Sequence, residues 1–170
     1  MNNQLREIKK SRLVEEDAFT YMICSDDRKN ITLPGAGLPA PYNIDFGGFT
    51  EHYDNYKCEV QSLCLTTGLT QSNNYYYFIC DGLADDSYFC RSKLSRRETI
   101  ISVVNTTTFS DLYRFNENNI VSFRVNNCRV PKKVTFSFLK SDFTAVNVGT
   151  DFSTDLRWVL TLKMTPIVDY

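Results

Sequence analysis

The chain has 170 residues, 42% of them hydrophobic and 23% charged, with a formal net charge of −1. Ordinary apolar content excludes wholesale disorder, and near-neutrality excludes the basic excess of a general nucleic-acid binder. No apolar run approaches the roughly 20 residues of a membrane-spanning helix, and 1–17 lacks the apolar stretch of a signal peptide, so neither a membrane span nor secretion is expected.

Residues 1–17 stand apart as a short N-terminal arm, with Leu5, Ile8, Leu13 and Val14 as sparse apolar side chains after Met1 and no full helical face. Such an arm is either solvated, a short helix, or tied down by a partner. From residue 18 onward, period-two alternation of β-branched and aromatic residues dominates. Phe19, Tyr21 and Ile23 share one face of a first strand. Tyr42, Ile44 and Phe46 alternate with Asn43 and Asp45, and Tyr56, Cys58 and Val60 with Lys57, Glu59 and Gln61. The stretch from Tyr75 to Cys80 is nearly continuous aromatic and apolar sequence, and Thr99 to Val104 is β-branched except for Ser102. Val121, Phe123 and Val125 alternate with polar residues, as do Val134, Phe136 and Phe138. In the last strand Leu156, Trp158, Leu160, Leu162 and Met164 face one way, and Arg157, Thr161 and Lys163 the other.

The pattern predicts an all-β chain, an eight-stranded antiparallel jelly-roll sandwich over 18–170, with a core containing Phe19, Tyr21, Ile44, Phe123, Phe136, Phe138, Trp158 and Leu160. An immunoglobulin-like sandwich is the alternative, although it is typically nearer ~100 residues. The two longest predicted loops, Asp26 to Ala40 and Thr106 to Asn119, are of the kind that bind something or are ordered by a neighbour.

Groups that carry chemistry are sparse. The six cysteines, Cys24, Cys58, Cys64, Cys80, Cys90 and Cys128, include no C-x-x-C pair, and they read as small buried hydrophobes in a reduced compartment rather than a disulfide framework. The single histidine, His52, reads as a loop residue, and no G-x-S-x-G elbow is present. Asp81, Asp85 and Asp86 could hold calcium or sugar hydroxyls, but the spacing is not that of an EF-hand, and a polar loop is the simpler reading. Pro34-Gly35-Ala36-Gly37 lacks the Gly-Lys-Ser/Thr that completes a phosphate loop. Arg91, Lys93, Arg96 and Arg97 read as a solvated or partner-facing loop, and Tyr75, Tyr76 and Tyr77 as strand residues with alternate rings in the core. The glycosylation patterns at Asn30 and Asn105 are read as chance in a chain not expected to be secreted. No catalytic residue, cofactor or metal site is therefore expected.

One set of residues carries a resemblance. Ile23-Cys24-Ser25-Asp26-Asp27-Arg28, a proline-bearing loop, Tyr42-Asn43-Ile44-Asp45-Phe46 and Tyr56-Lys57-Cys58-Glu59-Val60-Gln61-Ser62-Leu63 together resemble the opening of single jelly-roll minor capsid and penton-type proteins of large eukaryotic DNA viruses. Ser25, Asp27 and Arg28 match a Ser-Arg-Asp-Arg-like motif at the end of that family's first strand, with Asp26 in place of the usual Arg. Trp158-Val159-Leu160-Thr161-Leu162-Lys163-Met164 is similar to a closing strand of the family. The resemblance spans about the first 65 residues and the last 15. It implies a structural, non-enzymatic component of an icosahedral virion assembled in the host cytoplasm. Its partners would be the major capsid protein and other minor capsid proteins, in an oligomeric shell, with no nucleic acid bound. In physical terms, Ser25 and Asp27 favour a side-chain-bonded turn, and Arg28 has the fork to fix it on a carboxylate or on carbonyls. A carbohydrate- or ligand-binding sandwich is the alternative expectation, with Tyr75 to Tyr77 stacking on sugar.

Overall fold

In the computed structural model the described residues are 11–28, 41–49, 53–65, 75–83, 99–105, 112–114, 121–147 and 157–169. They form β-strands and two 3-10 turns: β1 (Ser11–Leu13), β2 (Phe19–Cys24), β3 (Tyr42–Phe46), β4 (Asn55–Leu65), β5 (Tyr75–Asp81), β6 (Thr99–Asn105), β7 (Leu112–Arg114), β8 (Ser122–Val125), β9 (Lys132–Lys140) and β10 (Trp158–Asp169), with the turns at Glu15–Asp17 and Ser25–Asp27.

All eight expected strands are present, and the chain is all-β with antiparallel pairing throughout the described ladders. Two short strands were not expected. β7 lies within the stretch predicted as the loop Thr106 to Asn119 and pairs with β4. β1 lies within the predicted arm: Ser11, Arg12 and Leu13 stand opposite Asp169, Val168 and Ile167, so this part of the arm is seated on the chain's own sheet. Residues 1–10 lie outside the described residues.

One sheet runs β2-β10-β4-β8, with β1 beside the far end of β10 and β7 beside the far end of β4; the other runs β3-β9-β5-β6. The inner faces meet through large rings. Trp158 of β10 packs against Tyr42 of β3 at 5.4 Å, Phe78 of β5 at 4.9 Å and Phe136 of β9 at 5.1 Å. A single core cluster collects alternate residues of both sheets, as expected of a sandwich whose layers stack ~10 Å apart.

The alternation read from sequence holds up to two bulges. On β4, Val60 faces Leu162 and Ser62 faces Thr161, so Gln61 is an extra residue and the buried phase shifts from Val60 to Leu63. On β6, the register slips between Phe78 and Ile79, which makes Ile101 the inserted residue.

Two expected core residues are corrected. Phe19 is 36% exposed and Tyr21 only half-buried, whereas Ile23 on the same face is buried. β2 is an edge strand whose start overhangs the facing sheet, because β3 ends at Phe46. Phe19 there meets the rings of Phe49 at 5.4 Å and Tyr56 at 5.7 Å edge-on. The other six expected core residues are buried.

Burial also sets an alkaline limit. Desolvation pushes the Tyr42 hydroxyl up to about 12, opposed in part by the nearby Arg28 guanidinium, and burial pushes the Cys58 and Cys80 thiols well up. Each group is held neutral in the folded state, so its stabilising contribution is complete below its unfolded pKa and is lost as pH rises towards its folded one. Unfolding free energy is therefore expected to fall from about pH 8.5 upward, and more steeply above pH 10, by up to ~1.4 kcal/mol per pH unit for each group in its window. Urea titrations at pH 7, 9 and 11 check this; a flat profile would contradict it.

Candidate functional site: the two outer faces and the turn after β2

The turn after β2 carries the Ser25, Asp27 and Arg28 motif, and each residue has a structural task. Asp27 Oδ2 accepts from the Cys24 backbone N–H at 2.7 Å, closing the turn on itself. The buried Ser25 Oγ accepts from the Trp158 backbone N–H at 3.2 Å, tying the turn to the start of β10. Arg28 lies over the Tyr42 ring at 5.7 Å, at the start of β3 in the other sheet. Among the described residues, the contact that Arg28 makes is this one with the Tyr42 ring, where a fork onto a carboxylate or carbonyls was expected. Asp26, the departure from the motif, faces Arg157 at 3.7 Å across largely exposed side chains, a pair worth little. Together the motif fixes the point where the chain leaves one sheet for the other.

The outer face of the sheet containing β10 divides along the strands. At one end ion pairs lace it: Lys57 with Glu59 at 2.8 Å, Arg124 with Asp169 at 2.8 Å, and Lys163 with Glu15 at 3.0 Å and Glu59 at 4.0 Å. At the other end a row crosses Cys24, Val159 and Cys64, which stand opposite one another in register. Next to it is Met22, 63% exposed. This apolar row was not anticipated, because Met22 and Cys24 occupy polar-phase positions of a strand judged by its other face.

The outer face of the β3-β9-β5-β6 sheet carries aromatic rings. The run Tyr75 to Phe78 splits as a strand must: Tyr76 and Phe78 are buried, whereas Tyr75 and Tyr77 are half-exposed on the opposite face. Tyr75 and Tyr77 meet edge-on at 5.4 Å, and Phe143 lies against Tyr77 at 4.3 Å. Val103, opposite Tyr77 on β6, is 53% exposed. Phe143 closes a tight turn after β9, with its N–H donating to Lys140 O at 2.8 Å and Lys140 N–H donating to Thr144 O at 2.9 Å. Its φ is +70°, a conformation that suits glycine and strains a bulky side chain. Phe143→Ala keeps the strain and loses the ring, whereas Phe143→Gly loses the ring but relieves the strain. The glycine variant is expected to be the more stable of the two by about 1 kcal/mol, measured by denaturant unfolding; the reverse order would contradict the strain.

Of the expected chemical groups, Asp81 is exposed at the end of β5; His52, Asp85, Asp86, Cys90, residues 34–37 and the basic run from Arg91 to Arg97 lie outside the described residues. Cys24, Cys58, Cys64, Cys80 and Cys128 are free thiols. Cys58 Sγ donates to Met164 Sδ at 3.2 Å within the core. Among the described residues no three His, Cys, Asp or Glu side chains are grouped to hold a metal ion, and no helix is long and apolar enough to cross a membrane.

No family model, curated protein or solved structure matches this chain.

Proposed function

We propose that this chain is a jelly roll serving as a structural component of an icosahedral virus shell, in a minor capsid or penton-type position. The observation that carries this is the ladder. β2 pairs with β10, β3 with β9, β4 with β8 and β5 with β6, so the first long strand meets the last and each following strand meets the next one inward. That ribbon is wound so that β10 also meets β4 and β9 also meets β5. Eight antiparallel strands wound this way into two facing sheets are the arrangement of jelly rolls, which recur in capsid and lectin domains.

The surface supports a role among like subunits. Lys57, Arg124, Arg129, Arg157 and Lys163 are each paired with a carboxylate of the same chain. With a net charge of −1, copies can pack densely without strong self-repulsion. The partners in this role are the major capsid protein and other minor capsid proteins, the setting is the virion after assembly in the host cytoplasm, and no catalytic step is assigned. Quantitative mass spectrometry of purified particles tests it: a fixed ratio to the major shell protein that survives high-salt washing is expected, and absence or a drifting ratio would overturn it.

A carbohydrate-binding role is the second reading, favoured by the outward Tyr75 and Tyr77 rings beside Phe143. It expects glycan binding that Tyr77→Ala abolishes.

A further inference from the structure

We infer that residues 11–18 form an exchangeable strap, and that the stretch of β10 it covers, from Thr165 to Asp169, is a docking surface for the same strap of a second copy of this chain. The inference rests on the reading above that copies of the chain meet in an assembly.

Register supplies the first ground. Leu13 stands opposite Ile167, and Phe19 stands opposite Met164. The strap takes six steps of chain where β10 takes three. The surplus of three residues is coiled as the 3-10 turn Glu15–Asp17. Drawn out, it would add a reach of roughly 10 Å at ~3.3 Å per residue. A stored length beside a terminal strand is what a hinge needs to pass that strand to a neighbour.

The second ground is how lightly the strap is held. Ser11, Arg12 and Leu13 are all exposed, and the turn buries no residue. Its attachments are ladder bonds to an edge, a Val14 N–H to Pro166 O bond at 3.0 Å, the Glu15–Lys163 pair at 3.0 Å and a Tyr53 hydroxyl donating to Asp17 at 2.6 Å. Each of these is an edge or surface contact that an identical strap from another copy reproduces, which is why exchange of an identical element is a low-cost route to association. Three consecutive carboxylates in the hinge repel one another and favour an extended chain, and the Lys163 and Tyr53 contacts oppose them.

The third ground lies beneath. Thr165 alternates with the inward Met164 and so belongs to the outer face, yet it is fully buried in the stretch of β10 that the turn packs near, and among the described residues its Oγ1 has no hydrogen-bond partner. The coiled arrangement therefore leaves a polar group uncompensated, and opening the hinge returns that hydroxyl to water.

The test uses full-length protein. A chain carrying Leu13→Cys is mixed with a differently tagged chain carrying Ile167→Cys and oxidised at a concentration where sedimentation shows an oligomer; Arg12→Cys with Val168→Cys is the second pair. Mixtures of each variant with the unsubstituted chain control for the native thiols. A disulfide joining the two tags, above those controls and diminished by high salt, is the expected result. An oligomer in which doubly substituted chains close only within themselves would overturn the exchange and leave the shell role standing. A chain that stays monomeric at every concentration, with the tags never joined, would likewise overturn the exchange, whereas the shell role fails only if the chain is absent from purified particles or its ratio there drifts.

Discussion

Trp158→Ala is expected to destabilise the protein by about 3–5 kcal/mol, the range for removing a large aromatic ring from a core. Trp158 is 1% exposed and touches Tyr42, Phe78 and Phe136, one ring from each of the first three strands of the facing sheet. Alanine would leave a cavity between two sheets whose separation is fixed by many other side chains, so little collapse is available to fill it. Trp158→Phe is expected to cost far less. Among the described residues the buried Trp158 Nε1 has no partner, and phenylalanine removes that unsatisfied donor while keeping a ring in the gap. The chain has one tryptophan, so its emission reports on the site directly in the unsubstituted protein. Denaturant unfolding followed by circular dichroism compares the variants. A loss below about 1 kcal/mol for the alanine variant would place the ring outside the core.

Period two was the legible part of this fold, because sandwich strands are wet on one side and dry on the other. It located six of the expected strands and the inner faces of β3, β8, β9 and β10, whereas β5 and β6 stood out as nearly unbroken apolar and β-branched runs. It stopped where backbone geometry rather than residue type decides. Gln61 reads as one more polar position of β4, yet as a bulged residue it resets the phase so that Leu63 and Leu65 turn inward. Phe19 and Tyr21 look as apolar as Ile23, and only the end of β3 at Phe46 tells them apart. β7 has three residues and β1 has Ser, Arg and Leu, too few for any period.

The surfaces were less legible than the core. Ser25, Asp27 and Arg28 could be singled out, and a side-chain-bonded turn could be foreseen from residue type. That Ser25 reaches Trp158 and Arg28 reaches Tyr42 depends on contacts with the starts of two distant strands. The Tyr75 and Tyr77 pair follows from alternation alone, but Phe143 joins it through a turn whose positive φ has no signal in a phenylalanine. The strap over Thr165 required the register of β10 on both sides of the gap, and register is a tertiary quantity.

Gly47→Ala is expected to cost about 3 kcal/mol, a left-handed backbone penalty of ~1–3 kcal/mol together with a clash against main chain. Gly47 has φ +96°, and a Cβ there would stand 3.0 Å from the Cys128 carbonyl oxygen and 3.4 Å from that of Val130. The same Cys128 oxygen accepts from Gly48 N–H at 2.8 Å and Phe49 N–H at 3.1 Å, and Cys128 N–H donates to Asp54 O at 2.8 Å. Moving Cys128 aside to admit a methyl group would stretch all three bonds. It would also shift Phe49, whose ring meets Phe19, Tyr21, Phe46 and Tyr56 edge-on at this end of the sandwich. Gly48→Ala provides the comparison. Its φ is +77°, but its Cβ would meet the Pro131 ring at 3.1 Å, a side-chain contact that can yield. The expected order is therefore Gly47→Ala well below Gly48→Ala in stability, measured as denaturation midpoints at constant slope. Equal losses would mean that backbone conformation alone sets the penalty, and that the shared Cys128 oxygen does not hold the two loops together.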